Sequence, residues 1–492
     1  MRAMSANRTG RKLRVAVIGA GMSGILCGIR LRQEGYDDIA IYEKGDTLGG
    51  TWHWNRYPGL SCDIPSHVYS YSFALNPEWS RKYSGGEEIR AYFQRIADDY
   101  GVTPLIRFNA EVTACTFRDG RWHLEIADGR TDEADVVLCA TGILHHPRMP
   151  EIEGLESFAG AAFHSACWPG GLSLKGKRVG IVGTGSTAVQ IVSDIVDEVA
   201  HLDLFQRSAQ WIWPESNAAY SSDEKARFRD DPAGLRHVHD RMRDMIAARF
   251  SNALVDADSE AMGQIELECR RHLEETVRDP ELRRRLTPDY RAGCKRLIMS
   301  DSFYQAMQRP NANLTTEAIA RIEAAGVRTA DGALHELDVL VLATGFNAHQ
   351  MMRPMRVSGR GGVTLEQAWA DSVQAYLSIS IPEFPNFFMF MGPQSPVGNF
   401  SLIEVAELEF DYILQLMNLV RDGACREVSA SAPAMTDFAD RVRAAMKSTI
   451  WVTGCTSWYL DGHGLPIGWP WTVEDFAQAM QAPALEDFQL VG

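Results

Sequence analysis

The sequence predicts an α/β chain with two parallel-sheet units and a helical insertion, on three observations. A strand–turn–helix–strand pattern runs from 14 to 43, and the same pattern returns over 177–208. Between 214 and 294 the chain becomes charged and nearly free of glycine, with apolar residues at helical spacing.

In the first unit RVAVI is a short apolar strand, GAGMSG a turn, ILCGIRLRQEG an amphipathic helix and IAIYE a second strand. The second unit reads KRVGIV, GTGSTA, VQIVSDIVDEVA and HLDLFQRS. DVVLCATG at 135–142 and DVLVLATG at 338–345 are Asp-led apolar strands ending in Ala-Thr-Gly, expected where the chain leaves one unit for the other. From 374 onward the sequence is rich in aromatics and proline and is expected to fold back onto the first unit. The resulting division is a first domain over 1–146 and 374–492, a second over 147–213 and 295–373, and an insertion over 214–294.

A length of 492 residues with 45% apolar and 23% charged composition implies several globular domains. Basic residues number 49 and acidic residues 64, for a net charge of −15, and no Lys/Arg run exceeds three, which argues against a nucleic-acid partner. Nine cysteines with no CxxC pair argue against a disulfide framework, a zinc site and dithiol redox chemistry, and for a reducing compartment. The basic start MRAMSANRTGRKLR before an apolar stretch resembles a secretory signal, but Gly19, Gly21 and Gly24 interrupt that stretch. No uninterrupted apolar segment reaches 18 residues, so no membrane span is expected and the predicted location is cytoplasmic.

The first turn carries Gly19, Gly21, Ser23 and Gly24 between a strand and a helix, the context of a dinucleotide fingerprint. The glycines allow a tight turn, close approach of backbone to a pyrophosphate, and helix–sheet packing, while the helix start offers N–H groups to phosphate. Glu43 lies 19 residues beyond Gly24, at a strand end where a carboxylate can accept from both ribose hydroxyls. The second turn carries Gly183, Thr184, Gly185, Ser186, Thr187 and Ala188, with Gln190 following. Here the residue 19 positions on is Arg207, which can grip a 2′-phosphate that a carboxylate would repel. Two Rossmann-like units, one Glu-ended and one Arg-ended, point to FAD reduced by NADPH.

Between the units, Phe158, Gly160, His164, Trp168 and Pro169 spell F-x-G-x-x-x-H-x-x-x-W-P, which resembles the fingerprint of type I Baeyer–Villiger monooxygenases. Gly50, Trp52, Tyr57, Pro58, Gly59 and Asp63 are similar to a second motif of that family, and Cys294-Lys295-Arg296-Leu297 to a third. QAYLSISIPEFPNFFMFMGP resembles the hydroxyacetophenone-monooxygenase-like branch, which leans the substrate toward aryl, long-chain or bulky cyclic ketones.

The resemblance implies a monooxygenase that uses NADPH and O2 to insert oxygen next to a ketone carbonyl through a C4a-peroxyflavin, giving an ester or lactone. It implies Arg296 as the catalytic arginine and Asp63 as the carboxylate that orients it. Lys295 and Ser208 join Arg207 at the 2′-phosphate. Thr51 and Trp52 neighbour the flavin ring, Tyr69 reaches the flavin phosphate or ring edge, Val112 gives a backbone contact to adenine, and Trp458 lies near the nicotinamide cofactor. The fingerprint His164 is read as coupling cofactor binding to domain movement.

His145 and His146 are adjacent without carboxylate spacing, and HELD at 335–338 lacks a second histidine, so no metal is expected. A monomer or weak homodimer is expected. Two rivals remain: a flavin-containing monooxygenase acting on nitrogen or sulfur, and an NADPH–flavin redox module that performs no oxygenation.

Overall fold

The computed structural model describes residues 11–398, 400–464 and 466–492; the basic start over 1–10 lies outside the described residues. The first unit is the strand Arg14–Ile18, the helix Met22–Gln33 and the strand Asp38–Tyr42, with Arg14 opposite Asp38 and Ile18 opposite Tyr42 in parallel register. After their charged first residues, Arg14 and Asp38, these strands are buried because both sheet faces are covered.

The first sheet is wholly parallel, in the order Phe387–Met389, Val136–Cys139, Arg14–Ile18, Asp38–Tyr42, Ile106–Arg107. Its outermost member comes from the aromatic C-terminal stretch, which thereby folds back onto the first unit. A second five-stranded parallel sheet has the order Ala312–Thr315, His201–Phe205, Arg178–Val182, Val339–Leu342, Ala161–His164.

Both Ala-Thr-Gly segments do the same job. Val136–Cys139 lies beside Arg14–Ile18, and Val339–Leu342 beside Arg178–Val182. Each brings an alanine carbonyl over the Gly-rich turn of its unit. A Cβ on Gly19 would stand 2.4 Å from the Ala140 oxygen, and one on Gly183 2.4 Å from the Ala343 oxygen. Gly19 and Gly183 also adopt φ of +105° and +115°, so glycine is required twice over.

The two crossings between units run side by side. Pro147 bridges Phe346, the Arg148 N–H donates to Gly345 O, and the Asn347 N–H donates to His146 O. The chain is back in the first unit by Arg356–Ser358, which pairs with Val112–Arg118, and not at the expected 374. The physical reason is that Val339–Leu342 already completes its sheet, so the chain recrosses directly after it.

Helices Ser222–Asp230, Pro232–Ile246, Glu260–Thr276 and Pro280–Leu286 fill the charged, glycine-poor region. Ser221, Asp231, Ser259 and Asp279 each cap a helix start, and proline follows at the first turn of two of them.

The expectation drawn from the cysteines is corrected. Cys294 and Cys455, 161 residues apart, form a disulfide. No local spacing announces such a pair, because it depends on two loops meeting in space. Among the described residues, no helix is long and apolar enough to cross a membrane.

Candidate active site

The Gly-rich turn of the first unit meets the second family-like motif backbone to backbone. The Gly49 N–H donates to Ala20 O at 3.0 Å. A Cβ on Gly50 would lie 3.0 Å from the Gly21 Cα, and Gly50 has φ of +53°. This leaves a bare backbone cradle at the start of Met22–Gln33, in whose first turn Ser23 and Gly24 are buried. Neither that helix nor Ser186–Ile195 carries a side-chain cap, so the N–H groups of both helix starts stay free for phosphate.

Glu43 is buried at the end of its strand, where its carboxylate accepts from the Ala20 N–H at 2.9 Å and the Gly45 N–H at 2.8 Å. Each oxygen keeps a further lone pair for a ribose hydroxyl. Ala110, two residues before Val112, donates its N–H to Glu43 O at 2.8 Å, which sets the start of the Val112–Arg118 strand beside this corner. These features fit FAD.

Thr51 opens the short helix Thr51–Trp54. The Trp52 indole N–H donates to the Tyr69 hydroxyl at 3.1 Å, and that hydroxyl donates to Met22 Sδ at 3.6 Å. Tyr69 is buried, with its hydroxyl engaged between the Trp52 indole and Met22.

In the second unit the Thr184 hydroxyl donates to Ser208 O at 2.8 Å and ties the turn to the strand end. Gly185 precedes Ser186–Ile195, and the buried Ala188 seats that helix on its sheet. Gln190 faces the first unit. Its amide donates to Ser61 O at 3.0 Å and its carbonyl accepts from the Tyr57 hydroxyl at 2.9 Å. Burial pushes the Tyr57 hydroxyl up to about 12, against a hydrogen bond with Thr187. Gly59 completes the contact, since a Cβ there would stand 2.6 Å from Gln190 O.

Lys295 donates to Ser208 Oγ at 3.0 Å and lies 4.4 Å above the Tyr290 ring. Burial holds its ammonium below the usual value, with Asp289 opposing and the neighbouring Arg207 reinforcing the shift. Two cations and a hydroxyl gathered beside a Gly-rich turn form an anion site that fits the 2′-phosphate of NADPH.

Arg296 and Asp63, both partly exposed, meet where the units face each other. Arg296 Nε and Nη2 donate to Asp63 Oδ2 at 3.0 and 2.6 Å. Burial works against the guanidinium charge, but Asp63 and the Tyr459 hydroxyl more than offset it and hold its pKa above the ordinary value. Tyr459 escaped the sequence reading. It stands next to Trp458, whose ring lies 4.2 Å from its own, and both line a small recess with Ile143, Met351, Met391 and Val397. Its adjacency to Trp458 was the one available signal.

His164 uses both ring nitrogens on backbone. Nδ1 accepts from the Ala166 N–H at 3.1 Å, and Nε2 donates to Gly345 O at 3.0 Å, at the crossing between units. Among the described residues, no group of three His, Cys, Asp or Glu could hold a metal ion, and the His145 and His146 rings lie 3.9 Å apart, tilted by 49°.

Comparison with known proteins bears on the family to which the chain belongs. Residues 16–230 match the pyridine nucleotide-disulphide oxidoreductase family model. The chain is 45% identical to an uncharacterized monooxygenase of Mycobacterium tuberculosis, covering 94% of this chain and 93% of that protein. It is 38% identical to a Baeyer–Villiger monooxygenase of Streptomyces coelicolor, covering 97% and 93%. The crystal structure of OTEMO in complex with FAD and NADP superposes with a TM-score of 0.88 at 25% identity, covering 98% of this chain and 100% of that one. The likeness to the hydroxyacetophenone-type branch is not carried further by these relatives.

Proposed function

This chain belongs to the Baeyer–Villiger monooxygenases, FAD-dependent enzymes that consume NADPH and O2, and on that premise we propose that Arg296, oriented by Asp63, is the fixed cation serving oxygen insertion beside a ketone carbonyl. Bound FAD supplies the activation of O2 and NADPH the electrons. The chain's own contribution is positioning and charge. The guanidinium stays charged at any working pH and stabilises negative charge as it develops on the ketone oxygen. Asp63 takes two of its donors and thereby sets the orientation of the rest.

Gly19, Gly21, Glu43, Gly50 and Trp52 hold FAD in this reading, and Gly183, Gly185, Arg207, Ser208 and Lys295 hold NADPH. In this reading 1–146 and 374–492 serve as the FAD domain and 147–213 and 295–373 as the NADPH domain, with Arg356–Ser358 already paired to the FAD side. Trp458, Met351, Met391 and Val397 give the small recess beside Tyr459 a largely apolar lining. Dependence on NADPH supports a cytoplasmic place of work.

The observation that carries this reading is the Arg296–Asp63 bridge between the two nucleotide units. The test is purification of the yellow holoenzyme and a screen of NADPH oxidation against a ketone panel, with products analysed by mass. The expected product is an ester or lactone one oxygen heavier than the ketone. Oxygen gained only on thioethers or amines would overturn the reading.

A further inference from the structure

We propose that Tyr290 is a positioning residue of the nucleotide site, holding the Lys295 ammonium over its ring face so that the chain selects NADPH over NADH. This rests on the reading of Lys295 as a ligand of the 2′-phosphate. Lys295 Nζ stands 4.4 Å from the Tyr290 ring centroid and donates to Ser208 Oγ at 3.0 Å. An ammonium has three donors, so two remain for a phosphate once Ser208 has taken one. Lysine ends on a flexible four-carbon stem, and a ring on one side with a hydroxyl on another fixes where those two donors point.

Tyr290 is tied to both arms of the site. Its hydroxyl lies 3.0 Å from Ala209 O and 2.9 Å from Gln210 Oε1 and donates its one proton there. The Gln210 amide donates to Thr184 Oγ1 at 3.4 Å, and Thr184 to Ser208 O at 2.8 Å, so the ring is anchored to the Gly-rich turn itself. At its backbone, Tyr290 O accepts from the Trp211 indole N–H at 2.6 Å. Beyond Lys295 the same two segments pair in parallel, Ile212 opposite Ile298 and Trp213 opposite Met299. Lys295 thus sits between two crosslinks that join its segment to the one bearing Arg207 and Ser208. Arg207, by contrast, is exposed. It must be ordered when the nucleotide arrives, whereas the ammonium is already in place.

A ring suits this place better than a carboxylate. Burial works against the Lys295 charge, with Asp289 opposing and Arg207 adding to the shift. A carboxylate in direct contact would cancel the ammonium and repel the phosphate. The negative face of a phenol ring attracts the ammonium and carries no net charge.

Tyr290→Met keeps bulk and removes the ring face, while Tyr290→Phe keeps the face and removes the hydroxyl. Steady-state oxidation of NADPH and of NADH is measured for both variants as FAD-loaded full chains. Tyr290→Met is expected to raise the KM for NADPH about three- to tenfold, as loss of a partly desolvated cation–π contact requires. The KM for NADH and the kcat at saturating NADPH stay near their wild-type values. Tyr290→Phe gives a smaller rise. In a Lys295→Ala background, Tyr290→Met adds no further rise, because it acts through the ammonium.

An unchanged KM for NADPH in Tyr290→Met overturns the proposal, as does a rise in Tyr290→Phe as large as that in Tyr290→Met. An equal rise for NADH, a further rise on top of Lys295→Ala, or a Tyr290→Met chain that cannot be purified with its flavin also overturns it, since the role would then be structural. Failure of the underlying reading looks different: Lys295→Ala by itself raises the KM for both nucleotides alike.

Discussion

Both Nε and Nη2 of Arg296 donate to the same carboxylate oxygen of Asp63, at 3.0 and 2.6 Å, across 233 residues of sequence. The bond joins the segment leading out of the insertion to the loop that follows the FAD-side glycines. Its geometry aims a charge that no working pH removes.

Arg296→Ala therefore keeps its flavin and still oxidises NADPH, while ester formation falls about a hundredfold or more, corresponding to roughly 3 kcal/mol of lost charge stabilisation. Arg296→Lys recovers little, because a single ammonium cannot hold Asp63 and still present a planar fork of donors to the reacting oxygen. Steady-state ester yield and peroxide release check both variants.

The two Gly-rich turns predict separable failures. Gly19→Ala and Gly183→Ala each drive a Cβ to 2.4 Å from a backbone oxygen, at positive φ. Gly19→Ala is expected to purify colourless. Gly183→Ala is expected to be yellow but barely reducible by NADPH, as read by absorbance during anaerobic titration.

Arg207→Ala and Lys295→Ala each raise the KM for NADPH about ten- to a hundredfold, as loss of a charge-assisted bond to phosphate requires, and leave the KM for NADH nearly unchanged. An equal rise for both nucleotides would remove these residues from the 2′-phosphate.

Glu404 predicts the pH dependence of stability. Burial raises its carboxyl to about 7, although Arg243 pulls the other way. The folded chain then holds a proton that the unfolded chain releases above about pH 4.5, so this residue's contribution falls as pH rises from there to about 7. Glu404→Gln should leave the melting temperature unchanged near pH 5 and raise it at pH 8. Thermal melts across that range measure the difference; a drop at pH 8 would refute the assignment.

Reduction of Cys294–Cys455, or Cys455→Ser, is expected to lower ester yield per NADPH with flavin reduction intact, because the segment bearing Arg296 loses its covalent tie two residues upstream. Cys167→Ser, at the exposed free cysteine, is the silent control. Reoxidation of the reduced wild type should restore the yield.

What was legible in the sequence is what local geometry dictates. Gly19 and Gly183 could be read because only glycine tolerates their φ and the carbonyl above them. Arg207 could be read because strand–turn–helix–strand spacing fixes where the second strand ends. The Arg296–Asp63 pair came through family likeness, because no spacing rule links positions so far apart. Tyr459 and the disulfide stayed hidden for the same reason, without a motif to compensate. The early return at Arg356–Ser358 was missed because three residues are too few to show a period. Gln190, expected at a cofactor, turned out to face Tyr57 and Ser61, since helix periodicity does not say which neighbour a polar side chain meets.

The Cys294–Cys455 clasp has a consequence for anyone building chimeras from these enzymes. A C-terminal third exchanged with one that has no cysteine at this place deletes half of the clasp and leaves Cys294 as a lone sulfhydryl. Crossover points that respect both nucleotide units can therefore still yield leaky hybrids, unless positions 294 and 455 travel as one heritable block.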